Sequence, residues 1–340
     1  MTNNILITGN RGYVGVVLSE HLHKKYKNKV KLFGIDNYYF KNKLTKSYSY
    51  IEQYNGDIRD LNLSYLKNID TIVHLCAISN DPMGQKFGSI TKTINLDCSK
   101  KLVKLAEKSN IKKIIFASSC SIYGQTDSNL RKETDKLAPL TEYSRSKVNF
   151  EKFLSKNKSK IEKISLRFAT ACGPSNALRL DLVLNDFVFT ALSQNKIVLK
   201  SKGQSWRPLI DVRDMARAID WAIFYKSKKK YDFFNIGSPK NTYKIIDLAK
   251  SVSKELGIKY EIAEGAVIDK RSYKVSFNKF YKVAKKMTPI YGVKQSLLDM
   301  KKYIKKNLKY IKKNHNNFIR LKSLENLVRK GVISKKLRVK

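Results

Sequence analysis

Apolar runs of strand length alternate with amphipathic stretches of helix length through the first two thirds of the chain. The runs at 4–8, 30–36, 70–77, 112–119, 163–169 and 232–236 predict strands, and helical spacing recurs at 13–26, 91–109, 142–157, 181–194, 212–226 and 243–256. Apolar strands separated by helices are the pattern of a parallel sheet covered on both faces. From about residue 258 the alternation decays into a strand-like Lys-Tyr-Glu-Ile-Ala-Glu and two further helical stretches, near 293–313 and 318–330. In the last of these Phe318, Leu321, Leu324, Leu327 and Val328 recur at helical spacing, which predicts a packed terminal helix with a solvated basic face. No internal repeat is visible.

A chain of 340 residues, 42% of them hydrophobic, can bury a sizeable core without disulfides or metals. Its charge is lopsided: 69 Lys+Arg against 28 Asp+Glu leave a net charge of +41. Such a charge steers anions inward. The excess is mostly lysine scattered along the whole chain, however, and site-specific nucleic-acid recognition clusters its charge, so nucleic acid is not the expected partner. Even the stretch 301–340, with 15 Lys+Arg and the single acid Glu325, carries the apolar spacing of a packed helix. The four cysteines show no C-x-x-C spacing and only four histidines accompany them, so reduced thiols and no metal site are expected. The amino terminus lacks a basic-apolar-cleavage pattern and no stretch approaches about 18 uninterrupted apolar residues, which points to a cytoplasmic protein without a membrane span.

The first strand ends in Thr8-Gly9-Asn10-Arg11-Gly12-Tyr13-Val14-Gly15, and a helix follows at once. Glycines three apart let the backbone turn tightly and approach a pyrophosphate, while the helix start offers N–H groups and a positive dipole end. Asp36 closes the second strand, about where an acid grips a ribose 2′-hydroxyl. It would repel a 2′-phosphate and so favours NAD over NADP, whereas Arg11 could reach such a phosphate. Asp57, followed by Ile58 after a short third strand, is a candidate acceptor for the adenine amino group. Tyr143 and Lys147 stand four apart on a predicted helix and share one face. Tyr39/Lys43, Tyr225/Lys229 and Tyr281/Lys285 match the same spacing, but only Tyr143 follows, 24 residues on, a strand ending in the hydroxyl-rich Ser118-Ser119-Cys120-Ser121.

Together these motifs resemble the extended short-chain dehydrogenase/reductases that act on nucleotide-linked sugars. The resemblance includes Ser119-x-x-x-Tyr123-Gly124, Leu166-Arg167, Gly173-Pro174, Trp206-Arg207-Pro208, Asp211-Val212-Arg213-Asp214 and Phe234-Asn235-Ile236-Gly237. It implies a doubly wound parallel (Rossmann) α/β sheet with a smaller carboxy-terminal substrate lobe. An NAD-binding domain over 1–172 would also receive 204–238, the lobe would comprise 173–203 and 239–313, and 314–340 would form a basic helix or tail. It also implies a homodimer serving polysaccharide synthesis.

The resemblance makes Tyr143 the base, Ser119 a hydrogen-bonding partner for the reacting oxygen, and Lys147 both a ribose contact and the cation that lowers the Tyr143 pKa from its usual ~10. Ser121, Asn185, Arg207 and Arg271 become candidate substrate contacts, the two arginines as forks for a diphosphate. Asn80-Asp81-Pro82 either borders the site or makes a plain turn, and Thr170 replaces the asparagine that many relatives place before the Gly-Pro. Sugar-nucleotide dehydratases of this family carry Asp-Glu where this chain has Cys120-Ser121, which disfavours dehydration. The expectation is a 4-epimerase using NAD on a nucleotide-diphosphate sugar, with a dehydrogenase, ketoreductase or 4,6-dehydratase as alternatives. A non-catalytic NAD-binding or nucleic-acid-binding protein would have no need of Ser119, Tyr143 and Lys147 together.

Overall fold

The computed structural model of the chain describes residues 3–269 and 271–340, without the side chains of 126–128. Its first half runs β1 (Asn3–Thr8), α1 (Tyr13–Tyr26), β2 (Val30–Asp36), β3 (Ile51–Asn55), β4 (Thr71–His74), α2 (Asp81–Lys86), α3 (Gly88–Lys92), α4 (Cys98–Glu107) and β5 (Lys113–Ser119). Then come β6 (Gln125–Arg131), α5 (Glu142–Lys156), β7 (Glu162–Phe168), β8 (Thr170–Cys172), α6 (Val183–Gln194), β9 (Ile197–Ser201), β10 (Trp206–Asp211), α7 (Val212–Phe224) and β11 (Tyr231–Ile236). The remainder is β12 (Thr242–Lys244), α8 (Ile245–Leu256), β13 (Tyr260–Val267), β14 (Ser272–Val275), α9 (Asn278–Ala284), α10 (Val293–Lys313) and α11 (Arg320–Arg329).

Among the described residues seven strands form one parallel sheet in the order β11-β7-β5-β4-β1-β2-β3. The strand order reverses between β1 and β4, and in open sheets of this kind ligands bind beyond the carboxyl ends of the strands at that switch point. Successive residues of β1 point to opposite faces. Ile5 and Ile7 therefore enter the core shared with Leu18 and Leu22 of α1 and with Ala218 and Ile219 of α7. Leu6 enters the core on the other face, with Ile72, Ile114, Phe116 and the α4 and α5 residues Leu102 and Phe150. A third core holds α6, α8 and α10 around β9 through Leu184, Val188, Leu248, Leu297 and Met300. The 314–340 segment packs into the first half: Leu324, Ile333 and Leu337 are buried in the core on the Leu6 face, and an antiparallel bridge joins Ile333 to Val339.

The continuous helix expected over 91–109 is broken. Asn80 caps α2 by accepting from Met83 N at 2.9 Å and Pro82 sits in its first turn, so helical structure starts early. Residues Thr93–Asp97 then form a π turn. Within it the buried Asn95 accepts from Ile78 N at 2.8 Å and donates to Ile78 O at 3.0 Å. The wider turn carries an amide that holds the loop after β4 in place, and residues 75–77, expected in the strand, become part of a cleft wall.

Candidate active site

A cleft of about 1130 Å³ opens beyond the carboxyl ends of β1, β4 and β5. That exceeds the ~300–1,000 Å³ common for a single small ligand. One end is built by the glycine loop. Gly9 has φ +77°, and a Cβ there would meet Cys76 N at 3.0 Å; at Gly15 it would lie 2.4 Å from Gly9 O. Gly12 starts α1 with no side-chain cap, so the helix's first N–H groups face the cleft without an oxygen of the chain's own side chains upon them. Gly9, Gly12, Tyr13, Val14, Gly15, Asp36, Asp57 and Ile58 all line this end.

The side chains nearby have more specific tasks than the sequence suggested. Asn10 is buried and donates to Gln53 Oε1 at 2.7 Å, tying the loop to β3 away from the cleft. Arg11 lies 3.2 Å over the Tyr38 ring and donates Nε–H to Gln53 at 3.1 Å, while its backbone N–H donates to Asp36 at 3.1 Å. Burial pushes the Asp36 carboxyl up to about 6, against the pull of that N–H and of the Arg11 guanidinium. Asp57 accepts from Arg59 through N, Nε and Nη2, at 2.9, 2.8 and 2.5 Å. The carboxylate expected to meet an adenine amino group is thus already engaged. The Tyr13 hydroxyl donates to Gly173 O at 2.6 Å, leaving the backbone of Tyr13 as its part of the cradle. The close glycine contacts and uncapped helix start fit a dinucleotide's diphosphate.

Ser119, Ser121, Tyr143 and Lys147 line the same cleft, Ser119 from the end of β5, Ser121 from the short helical turn Cys120–Tyr123 after it, and the others from α5. Thr141 starts α5 with a capping box that includes Ser144, which fixes the helix in register so that Tyr143 and Lys147 both face inward. Ser119 Oγ donates to Ser121 Oγ at 2.9 Å and accepts from Ser121 N at 3.1 Å. Lys147, 4% exposed, donates to Ala117 O at 2.7 Å, and its Nζ stands 5.6 Å from the centre of the Tyr143 ring. Burial pushes Tyr143 up to about 12, with Asp81 adding to the rise; a hydrogen bond with Ser119 and the charge of Arg179 pull it down. Burial lowers Lys147 to about 8. Arg179 is thus a second cation acting on the phenol, beside the Lys147 to which the sequence pointed.

At the other end the expected forks are paired. Arg207 donates to Asp269 at 2.9 Å, to Trp206 O at 2.8 Å and to Arg271 O. Arg271 donates to the same Asp269 through Nε and Nη2, at 2.9 and 2.8 Å, and to Asp81 at 2.5 Å. Asn185 does not reach the cleft: it is 0% exposed, accepts from Gly173 N at 3.0 Å and donates to Arg179 O at 2.9 Å. Asn80 and Asp81 do border the cleft. Cys120 points into the core, where its thiol donates to Arg167 O at 3.1 Å and burial raises its pKa.

Three charged residues stand out among the cleft residues that sequence reasoning missed. Arg179 holds Asp181 through two bonds of 3.0 and 2.9 Å and donates to Ser79 at 3.2 Å. Asp269 is the shared partner of two arginines. Arg320, from the start of α11, reaches the cleft although it is only 2% exposed. The available signal for Arg320 was its spacing, since it heads the row Arg320, Leu324, Val328 on one helix face.

The family model described as NAD dependent epimerase/dehydratase matches residues 5–237. An uncharacterized UDP-glucose epimerase of Bacillus subtilis is 28% identical over 267 residues, 73% of this chain and 82% of that protein. A UDP-glucuronate 4-epimerase of Thermodesulfobacterium geofontis is 25% identical over 334 residues, 90% of this chain and 98% of that protein. Among solved structures, the UDP-glucuronic acid 4-epimerase of Bacillus cereus in complex with UDP-glucuronic acid and NAD superposes with a TM-score of 0.79 at 22% identity, covering 89% of this chain and 99% of that one.

Proposed function

The chain belongs to the NAD-dependent epimerase/dehydratase family, and we propose that it is a 4-epimerase of a nucleoside diphosphate sugar, of the UDP-linked class named for its relatives. The observation that carries this reading is the grouping of Ser119, Tyr143 and Lys147 on one cleft wall while Cys120 is turned into the core. Bound NAD supplies a reversible hydride acceptor. Tyr143 takes the proton of the sugar hydroxyl during oxidation and returns it after the sugar has presented its other face. Ser119 steadies the reacting oxygen, and Lys147 keeps a positive charge on the cofactor side of the phenol. Epimerisation of this kind needs one acid–base group. Elimination of water needs a further proton relay, and the Cys120 thiol, buried and bonded to Arg167 O, is not placed to provide one.

Incubation with a panel of UDP-, dTDP-, GDP- and CDP-sugars, read by mass and NMR, tests this reading. A new stereoisomer of unchanged mass is expected. A gain or loss of two hydrogens would make the enzyme an oxidoreductase, and a loss of water a dehydratase. Among the described residues no helix is long and apolar enough to cross a membrane. We also propose a cytoplasmic homodimer serving polysaccharide synthesis, in keeping with four free cysteines and the family resemblance; light scattering checks the dimer.

A further inference from the structure

Arg320 is the first residue of α11 and among the most deeply buried large side chains in the protein. Its Nη2 donates to Ala177 O at 2.9 Å, its Nη1 is buried with no hydrogen-bond partner, and its guanidinium lies 4.1 Å over the Phe40 ring. Burying a cation with one neutral acceptor is costly, and a buried guanidinium normally has its remaining donors matched by an anion. Arg179 adds like-charge repulsion, opposed by Asp181 and Asp36, and burial leads these influences in pushing the guanidinium down to about 9.

The surroundings point to the same missing partner. Ile319, Arg320, Leu321 and Lys322 line the cleft that Gly9, Gly12 and Asp36 also line, and no side chain caps the ten-residue α11. The segment is pinned on both sides of this end of the cleft. Leu180 N donates to Phe318 O at 2.8 Å on the lobe side. On the β3 side Arg59 donates to Lys336 O at 2.7 Å and Tyr39 to Leu337 O, while Arg338 donates to Asp60 at 2.5 Å.

We propose that Arg320 and the first turn of α11 form a second diphosphate-binding element facing the glycine loop, so that residues 318–340 clasp the bound dinucleotide. A diphosphate could also come from the sugar nucleotide. The cofactor is favoured because the Arg320 guanidinium lies over Phe40, in the segment that follows Asp36 and β2, while Arg207 and Arg271 serve the other end. The proposal rests on NAD occupying the glycine loop.

The test uses the full chain with NADH fluorescence for the cofactor and UDP titration for the sugar nucleotide. Arg320→Met keeps the length of the side chain and removes its charge. It is expected to weaken NADH binding about tenfold or more and to leave UDP binding within about twofold. In the absence of cofactor it should melt at the same temperature as the wild type or higher, since replacing an incompletely paired buried charge by an apolar group is often neutral or stabilising. Arg320→Lys should recover part of the affinity. NADH should also slow proteolysis of 330–340 in the wild type and not in Arg320→Met. Unchanged NADH affinity together with a lowered melting temperature would make Arg320 a purely structural residue and overturn the proposal. A loss of UDP affinity with NADH intact would overturn it in favour of the substrate's diphosphate. If the wild type itself failed to bind NADH, the cofactor reading would fall instead.

Discussion

At the glycine-loop end of the cleft, backbone N–H groups and the Arg320 guanidinium are held in place with bonding capacity to spare, whereas at the Arg207 end two guanidiniums are already bonded to Asp269 and Asp81. A ligand entering the first end finds donors whose ordering was settled when the chain folded. A diphosphate entering the second must take Arg207 and Arg271 from a carboxylate. The first arrangement suits a cofactor that stays, and the second a substrate that comes and goes.

The sharpest test of this division lies on the wall between the ends. Tyr143→Phe should lower turnover by a factor of about 10²–10⁴ and leave NADH binding nearly intact, as the proton transfer proposed for its hydroxyl requires. Lys147→Ala should lower both turnover and NADH affinity. If Tyr143→Phe loses NADH as well, the wall belongs to the cofactor end, and near-normal turnover would remove Tyr143 from its role.

At the substrate end, Arg207→Ala should raise KM for the sugar nucleotide about tenfold or more, equivalent to about 1.4 kcal/mol, with little change in NADH affinity. Arg207→Lys should recover only part, since a point charge lacks the fork. Asp269→Asn should act in the opposite direction and lower KM by roughly twofold to fivefold, the scale of a partly exposed ion pair. A higher KM in that variant would show that Asp269 aims the guanidiniums more than it competes for them.

At the cofactor end the corresponding probe is pH. Asp36 is raised to about 6 in the folded chain, so between its unfolded value near 4 and 6 the native state holds the extra proton. Its contribution to stability is full below about 4 and is lost as pH rises through 6. The ionised carboxylate is the stronger acceptor for a ribose hydroxyl, so NADH affinity should fall as pH drops below 6, by at most about tenfold per pH unit. Asp36→Asn should flatten that dependence. The smallest effects should come from the scattered charge: replacing lysines in 301–313 should alter substrate association modestly, and the change should vanish at high salt.

How far the sequence carried this picture depended on how local each signal was. The glycine loop, Asp36 and the Tyr143/Lys147 pair are readable because a few neighbouring residues fix their geometry, and the sheet strands because burial on both faces makes them uniformly apolar. Asp57 and Arg207 were legible as types but not as states, because Arg59 of a short helical turn and Asp269 of a distant loop take their bonding capacity. The π turn was hidden because Asn95 pairs with Ile78 across the preceding helices. Arg320 was one cation among the fifteen of 301–340, and only the fold puts it under Phe40 and beside Ala177.

The bond from the Tyr13 hydroxyl to Gly173 O has a mechanical consequence. Ser175 donates back to Tyr13 O at 2.9 Å, and Asn185 holds both Gly173 N and Arg179 O, all of it buried. The start of α1 and the segment 173–185 are thereby sewn together along the base of the cleft. Across the cleft its two walls are fastened again, Arg271 to Asp81 at 2.5 Å and Arg179 to Ser79 at 3.2 Å, so a ligand that draws either arginine away also undoes a stitch between them.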